Sequence, residues 1–166
     1  SKAFPCLEYF EPGRDFPVFQ HGDLTFGVVI CADGGYIDPA RILTLKGATA
    51  IFAPHYNFIA GEDLIDHTRT TRGDHIARSR ENGIWFIRGN NYVVGNDAGL
   101  GYAGVGQGES YILDPGGEIV CRAQRAVEGL ICAQIDTEMS GQGRTRSEIS
   151  ARALGQMVLD LVADEG

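Results

Sequence analysis

One cysteine stands where the chain changes from a strand-like segment to a helix-like one. Residues 25–30 are rich in β-branched and apolar side chains, which is typical of a central strand covered on both faces. Cys31 follows this run, and Asp33, Gly34 and Gly35 then predict a sharp turn. Because reactive groups in open α/β sheets collect at the carboxyl ends of strands, Cys31 is the candidate nucleophile.

A thiol at this turn would have backbone N–H groups beside it. Such groups stabilise a thiolate and can also donate hydrogen bonds to an oxyanion on a substrate. The alternative is that Cys31 is a small buried hydrophobic residue, which cysteine often is. Local spacing alone leaves both interpretations open.

The residues after the cysteine predict a helix and a second strand. Asp38 is a candidate N-cap, with Pro39 at the first helical position. The predicted helix covers residues 39–46, Gly47 is its candidate C-terminal cap, and residues 50–53 begin the next buried strand. This strand, turn, helix and strand unit would hold the cysteine at one edge of a sheet.

The rest of the chain completes the prediction of an α/β fold. Residues 62–82 predict a helix that ends at Gly83. Its core-facing residues would be Leu64, Ile65, Thr68, Ile76 and Ala77. The glycine-rich residues 91–107 are typical of a loop that closes over a site. Further strands are predicted at residues 84–88, 110–113, 118–123 and 130–135, and a last helix at 146–162.

Composition and charge argue against several classes of protein. Of the 166 residues, 43% are hydrophobic, yet no apolar run is long enough to span a bilayer, so we expect no membrane insertion. The 22 acidic and 14 basic residues give a net charge of -8, which argues against a nucleic-acid surface. The four cysteines have no metal-type spacing, so we expect reduced thiols in a cytoplasmic protein. We expect residues 1–166 to form a single domain.

Two other patterns do not predict a cofactor or a metal. The motif G-x-G-x-x-G occurs at residues 99–104, but it leads into a predicted strand, whereas a dinucleotide-binding motif opens a helix. His67 and His75 stand near Asp66 and Asp74 in the predicted helix, but their spacing fits no standard zinc motif.

Three segments, in order, resemble motifs of the carbon–nitrogen hydrolase (nitrilase) superfamily. ARSRENGIWFIRGNN, at residues 77–91, resembles its R-A-x-E-N segment, and GESYILDPGGEIVCRA, at residues 108–123, resembles its G-x-S-x-I-x-D-P-x-G-E-V hairpin. The family's nucleophile region is matched at Gly27, Ile30, Cys31, Asp33, Ala40, Arg41, Leu43, Gly47 and Ala48. The resemblance implies a nitrilase-like α-β-β-α sandwich. It also implies hydrolysis of a non-peptide carbon–nitrogen bond through a cysteine thioester, with no cofactor.

The amino-terminal residues resemble the segment around the family's catalytic lysine. By this resemblance Lys2 is that lysine and would stabilise an oxyanion together with the backbone N–H of Ala32. Glu8 resembles an additional acidic residue that orients the lysine or contacts the substrate. The family's general-base glutamate precedes the lysine, together with the first strands and helices. We therefore expect the chain to be the C-terminal part of a longer protein, a processed product or one of two chains. Without the general-base glutamate, we expect it to be nearly inactive alone.

The residues near the cysteine favour an amide or ureido substrate over a nitrile. Nitrile-specific members of the family tend to carry Trp-Glu after the cysteine, whereas Ala32 and Asp33 follow it here. His55, Tyr56 and Asn57 occupy the loop that helps to line the pocket in relatives, so they are predicted to bind the substrate.

Two other roles stay open. The protein could be a non-catalytic member used for assembly or regulation, or a member that transfers the acyl group or delivers ammonia. Because the family's sandwiches commonly pair through helices, we expect a homo-oligomer. We also expect its partner to be a small-molecule amide-type substrate.

Overall fold

Three parallel strands form the centre of a six-stranded sheet in the computed structural model, which describes residues 13, 15–93, 101, 103–140, 153, 156 and 160. The strands are β1 (Val18–His21), β2 (Leu24–Val28), β3 (Ala50–His55), β4 (Trp85–Asn90), β5 (Tyr92–Val93), β6 (Gly106–Gln107), β7 (Tyr111–Leu113) and β8 (Ile119–Arg122). The large sheet has the order β1-β2-β3-β4-β7-β8, and β5 pairs with β6 in a separate sheet. β2, β3 and β4 are parallel, whereas β1, β7 and β8 run antiparallel to their neighbours.

Two helices connect the parallel strands. Helix α1 (Ile37–Leu45) lies between β2 and β3, and α2 (Leu64–Asn82) lies between β3 and β4. Gly83 ends α2 in the left-handed conformation, with φ +63°, as its position in the sequence predicts. Within the described part of the chain, none of the helices has both the length and the apolar character needed to cross a bilayer.

The main core lies between the sheet and these two helices. Its largest fully buried apolar side chains are Leu43, Ile51, Ile84, Phe86, Tyr111 and Leu113. A smaller cluster on the other face of the sheet centres on Trp85 and Ile112. The mixed α/β sheet confirms the predicted fold class, and the strand, turn, helix and strand unit around the cysteine is present.

Two predictions about secondary structure are wrong. Residues 130–135 form no strand, because no neighbouring strand pairs with them; Ile131 and Ile135 instead pack on the smaller cluster, and Leu130 is 89% exposed. Helix α1 begins at Ile37 with Tyr36 as its N-cap, so Asp38 lies inside the first turn.

Two predictions about burial are also wrong. The strand before the cysteine is not covered on both faces, since Val28 is 39% and Ile30 is 65% exposed. Ile65 is 71% exposed and does not lie on the inward face of α2, which is largely polar and buries His75 and Ser79. The Ser79 hydroxyl donates to the Ile84 carbonyl at 2.7 Å, and hydrogen bonds of this kind make a polar inward face tolerable. Of the predicted last helix, residues 153, 156 and 160 are described and are helical.

The first parallel strand approaches α1 so closely that it requires glycine. A Cβ atom added to Gly27 would lie 2.6 Å from a methyl carbon of Leu43, whose side chain is completely buried. A buried leucine in a packed core has little room to move. Gly27 therefore sets the distance between β2 and α1, and with it the position of the turn that follows β2.

We predict opposite effects on stability for two glycine-to-alanine substitutions. Gly27→Ala should lower the free energy of unfolding by about 1–3 kcal/mol through overpacking. Gly73→Ala should raise it by up to about 1 kcal/mol, since alanine favours helix. Gly73 suits this comparison because it lies inside α2, and a methyl group added there would have no atom within 4 Å. Urea denaturation measures both, and a Gly27→Ala protein as stable as the wild type would contradict the packing argument.

Candidate active site

Cys31 begins a tight turn just beyond the carboxyl end of β2. The turn is a 3-10 helix over Cys31–Gly35, and it leads almost directly into α1. The φ angle of Cys31 is +50°, a left-handed conformation that non-glycine residues adopt rarely. Such a conformation costs on the order of 1–3 kcal/mol and is concentrated at functional sites, where surrounding packing maintains it.

An open cleft of about 260 Å³ lies next to this turn. The turn after β2 forms one wall, the end of β3 and its following loop form a second, and one face of α2 forms the third. The lining residues are Cys31, Ala32, Gly35, His55, Asn57, His67, Thr71, Asp74 and His75. The parallel strands thus bring together residues that are more than forty positions apart in the sequence.

The structure brings most of the predicted site residues to this cleft. Cys31, Ala32, His55 and Asn57 line it. The side chain of Tyr56 is not among its lining residues and is 53% exposed, but the Tyr56 carbonyl lies 4.0 Å from Cys31 Sγ and can accept a weak hydrogen bond from the thiol. Lys2 and Glu8 lie outside the described residues. The roles assigned to all these residues remain predictions.

A buried arginine supports the floor of the cleft. Arg88 is 3% exposed, and its guanidinium donates to Asn57 Oδ1 at 2.6 Å and to the Glu109 carbonyl at 3.2 Å. It also lies over the Tyr111 ring, 5.5 Å from the centroid. Burial lowers the pKa of Arg88, while Tyr111, Glu109 and Cys31 favour its charged form. Arg88 therefore fixes the Asn57 amide and places positive charge beneath the cysteine.

The carboxylate of Glu109 compensates this buried charge. Its side chain is 1% exposed, and Oε2 lies 3.7 Å from Arg88. Oε1 accepts hydrogen bonds from Arg122 and Arg125, each at 2.7 Å, and from Arg72. Burial alone would raise the pKa of Glu109, but the arginine hydrogen bonds lower it below its ordinary value. Glu109 is therefore an ionised carboxylate held within a cluster of four arginines.

The imidazoles at the cleft are neutral. His75 is fully buried, stacks on Phe86, and pairs its Nδ1 with the Tyr111 hydroxyl at 2.7 Å. Burial lowers the pKa of His75 to about 2 and that of His55 to about 4. The Nδ1 of His55 lies 2.8 Å from the Ala53 carbonyl. These rings can donate or accept hydrogen bonds at pH 7, but they carry no charge.

The residues that support the cleft are not among those predicted from the sequence. Arg88, Glu109 and His75 were not predicted to have roles, although an arginine within the apolar run IWFIRGN is an unusual feature of a buried strand. The spacing of His67 and His75 predicts no zinc site, and the sequence does not indicate that His75 pairs with Tyr111. In the described part of the chain, no group of three His, Cys, Asp or Glu side chains is arranged to hold a metal ion.

Comparison with protein-family models decides the family. A model described as carbon-nitrogen hydrolase matches residues 7–145, which is most of the chain and includes the whole cleft. The chain belongs to the carbon–nitrogen hydrolase family. The resemblance of the three sequence motifs is thereby confirmed.

Curated relatives of this chain include amidases and nitrilases. The chain is 32% identical over 138 residues to N-carbamoylputrescine amidase from Arabidopsis thaliana, covering 79% of this chain and 45% of the relative. It is 33% identical over 129 residues to a nitrilase from Pyrococcus abyssi, covering 77% of this chain and 44% of that protein. The chain thus spans less than half the length of these two relatives.

Solved structures share the fold. A carbon-nitrogen hydrolase from Helicobacter pylori G27 superposes with a TM-score of 0.78 at 23% identity, over 99% of this chain and 57% of that one. A variant of the amidase from Nesterenkonia sp. AN1 has a TM-score of 0.68 at 21% identity, over 90% of this chain and 51% of that one. These likenesses confirm the nitrilase-like fold.

Removing the buried carboxylate should destabilise the protein strongly. Glu109→Gln would leave the buried Arg88 and three further arginines without their counter-charge, and we expect a loss of about 3–5 kcal/mol in the free energy of unfolding. Asp66→Asn is the matched control, since Asp66 faces Arg69 at 3.8 Å on the surface and both side chains are at least 80% exposed. Its effect should stay below about 1 kcal/mol. Equal effects in urea denaturation would contradict the structural role of Glu109.

Stability should fall in mild acid. The folded-state pKa values of His75 and His55 lie below the ordinary value of 6.5, so acid protonates the unfolded chain first. The stability is complete above pH 6.5 and decreases as pH falls towards 4 for His55 and towards 2 for His75. His75 alone should contribute up to about 1.4 kcal/mol per pH unit. Urea denaturation between pH 8 and 5 tests this, and His75→Gln should flatten the slope. A wild-type stability that does not change over this range would refute it.

Proposed function

We propose that this chain supplies the nucleophile of an enzyme that hydrolyses a small amide or ureido compound through a thioester on Cys31. The observation that carries the proposal is the strained Cys31 turn at the mouth of the cleft, in a chain that belongs to the carbon–nitrogen hydrolase family. One relative's own structure, that of the Nesterenkonia amidase, is described as having acrylamide added at its active-site cysteine.

The proposed reaction has two stages. Cys31 Sγ attacks the carbonyl carbon and forms a carbon–sulfur bond, while the carbonyl oxygen becomes an oxyanion. The carbon–nitrogen bond then breaks, the amine leaves with a proton, and a thioester remains. Water attacks the thioester, which releases the acid and returns the proton to the thiol. A thiolate is both a strong nucleophile and a good leaving group, so two lower barriers replace one high barrier.

The groups around Cys31 suit this chemistry. Ala32 is the second residue of the 3-10 turn, where backbone N–H groups have no partner within the helix and can donate to the oxyanion. Asn57, held by Arg88, presents its amide to the cleft. Lys2 is proposed as a second oxyanion donor.

His55 is not assigned as the general base. Its pKa of about 4 makes it a weak proton acceptor at pH 7. We assign it a hydrogen-bonding role towards the substrate instead. The general base is the glutamate that the family places upstream of its lysine, and such catalysis contributes about 10²–10⁴-fold to the rate.

The names of some relatives support an amide or ureido substrate, whereas two others are named a nitrilase or a probable nitrilase. Three relatives, from Arabidopsis thaliana, Solanum tuberosum and Solanum lycopersicum, carry the name N-carbamoylputrescine amidase. This agrees with the preference drawn from Ala32 and Asp33. Homo-oligomerisation and a cytoplasmic location stay predictions.

The proposal predicts that Cys31 reacts faster than the other thiols. With iodoacetamide at pH 7, Cys31 should be alkylated several-fold faster than the exposed Cys132, because backbone N–H groups that have no partner within the helix adjoin it at the start of the turn and can donate to its sulfur. Peptide mass spectrometry at several time points gives the separate rates. Cys31→Ser should remove the fast reaction, whereas Cys121→Ser, which alters a thiol on the other face of the sheet, should preserve it.

A Cys31 rate equal to or slower than that of Cys132 would remove the support for a nucleophile and favour the non-catalytic role. Release of ammonia or amine from amides, ureido compounds and nitriles then distinguishes the substrate classes. The proposal expects turnover of the first two, and turnover confined to nitriles would contradict it.

A further inference from the structure

Two consecutive glycines bring the cysteine turn against helix α2. A methyl group added to Gly34 would lie 3.0 Å from His75 Nε2, and one added to Gly35 would lie 3.3 Å from Asp74 Oδ2. Contacts this short leave little room for a side chain between the turn and the helix. The backbone of the turn therefore lies directly on α2, within reach of the hydrogen-bonding groups that this helix presents.

An arginine of α2 makes a hydrogen bond that joins the helix to the turn. Arg78 Nη1 donates to the carbonyl oxygen of Gly35, the last residue of the turn, at 3.3 Å. The last carbonyl groups of a helix have no partner within the helix, so a donor from outside stabilises this end of the turn. Arg78 is 8% exposed and is not among the residues that line the cleft. Its contact with the reacting groups is therefore indirect, through the turn.

Glu81 fixes the direction of this arginine. Arg78 Nε lies 2.8 Å from Glu81 Oε1, one helical turn further along α2. The backbone carbonyl of Arg78 accepts a hydrogen bond from Asn82 Nδ2 at 2.8 Å, which holds the same helical turn together. A guanidinium is planar and rigid, so an ion pair at Nε also restricts where Nη1 points. All three residues belong to the segment that resembles the R-A-x-E-N motif, to which the proposed reaction assigns no role.

The turn needs such an anchor because its first residue is strained. The φ angle of Cys31 is +50°, a conformation that persists only where the surrounding structure maintains it. Within the turn, the Asp33 N–H donates to the Ile30 carbonyl at 3.1 Å and the Tyr36 N–H donates to the Asp33 carbonyl at 3.3 Å. These local bonds hold the shape of the turn but not its position on the protein. β2, which pairs with β3, holds the near end of the turn, and Arg78 anchors the far end.

From this arrangement we propose that Arg78 is a positioning residue for the reaction at Cys31. By anchoring Gly35, it holds the turn in the conformation that presents the Cys31 thiol and Ala32 to the cleft. The proposal rests on the proposed hydrolase function and assigns part of its geometry to a residue that does not touch the substrate. Such a residue has large effects on rate, since a misplacement of about 1 Å by a change far from the chemistry can cost about 100-fold.

Kinetics of variants made from the complete gene test the positioning role, with short amides and N-carbamoyl amines as substrates. We expect Arg78→Met to lower kcat about 10–100-fold and to change KM less than about threefold, because His55 and Asn57, which are predicted to bind the substrate, lie outside the turn. Arg78→Lys keeps a charged donor on a chain of similar length, so its kcat should exceed that of Arg78→Met. Arg69→Met removes the same charge from a side chain of α2 that is 80% exposed, and its kcat should equal that of the wild type. Equal kcat values for the Met and Lys variants of Arg78, or a loss confined to KM, would overturn the proposal.

A second variant keeps the test decisive if Arg78→Met does not fold. Glu81→Gln preserves the shape of the side chain but removes the charge that orients the guanidinium. We expect it to lower kcat about two- to tenfold at an unchanged KM, a smaller loss than in Arg78→Met because the hydrogen bond to Gly35 can still form. Urea denaturation establishes that each variant is folded under the assay conditions. A folded Glu81→Gln protein with the kcat of the wild type would count against the anchoring of the turn by Arg78.

Thiol labelling separates the positioning role from the hydrolase function, because it needs no turnover. Iodoacetamide forms a sulfur–carbon bond and releases iodide, and the rate at Cys31 is divided by the rate at the exposed Cys132 of the same protein. This ratio should fall several-fold in Arg78→Met and stay unchanged in Arg69→Met. A lower ratio in Arg78→Met, together with no turnover by the wild type, supports the positioning role and counts against the hydrolase function. An unchanged ratio and an unchanged kcat in Arg78→Met overturn the positioning role and leave the hydrolase function standing.

Discussion

Glu109 is a carboxylate buried beneath the cleft, and a buried carboxylate requires compensating positive charge. The geometry of the site depends on the arginines that supply this charge. Four arginines surround this residue, and one of them, Arg88, extends from the carboxylate to Asn57 at the cleft. Desolvating two charges is expensive unless each has its partner and further hydrogen bonds. The network therefore restricts the Asn57 side chain to one position. The φ angle of Glu109 itself is +71°, so the backbone is strained at the same place.

The same network supports the opposite wall of the cleft. The Tyr111 ring lies beneath the Arg88 guanidinium, and its hydroxyl pairs with His75 Nδ1. The other ring nitrogen of His75 faces the cysteine turn, since a methyl group on Gly34 would lie 3.0 Å from Nε2. Glycine at this position lets the turn close over the imidazole. The left-handed conformation of Cys31 is thus maintained by packing from α2 and β7 as well as by its own local sequence.

The features that the sequence predicts correctly are local ones. Gly83 ends α2, and the turn at Asp114 joins β7 to β8 because its carboxylate accepts from two backbone N–H groups at 2.9 Å. Cys31 was located by the change from strand to helix patterns. The supporting residues could not be found in this way, because Arg88 and Glu109 are 21 positions apart and Arg72 and Glu109 are 37 apart. The predicted strand at residues 130–135 is absent because Ile131 and Ile135 pack on a sheet face without strand pairing, and an apolar run alone does not distinguish the two arrangements.

If Cys31 accepts an acyl group from a small amide, the covalent adduct is detectable by mass spectrometry. Protein expressed from its complete gene is incubated with short amides and N-carbamoyl amines, quenched in acid and digested. We expect a mass increase equal to the acyl or carbamoyl group on the peptide that contains Cys31, and none on the peptide that contains Cys132. An unmodified Cys31 throughout the substrate panel, or equal modification of both thiols, would contradict it.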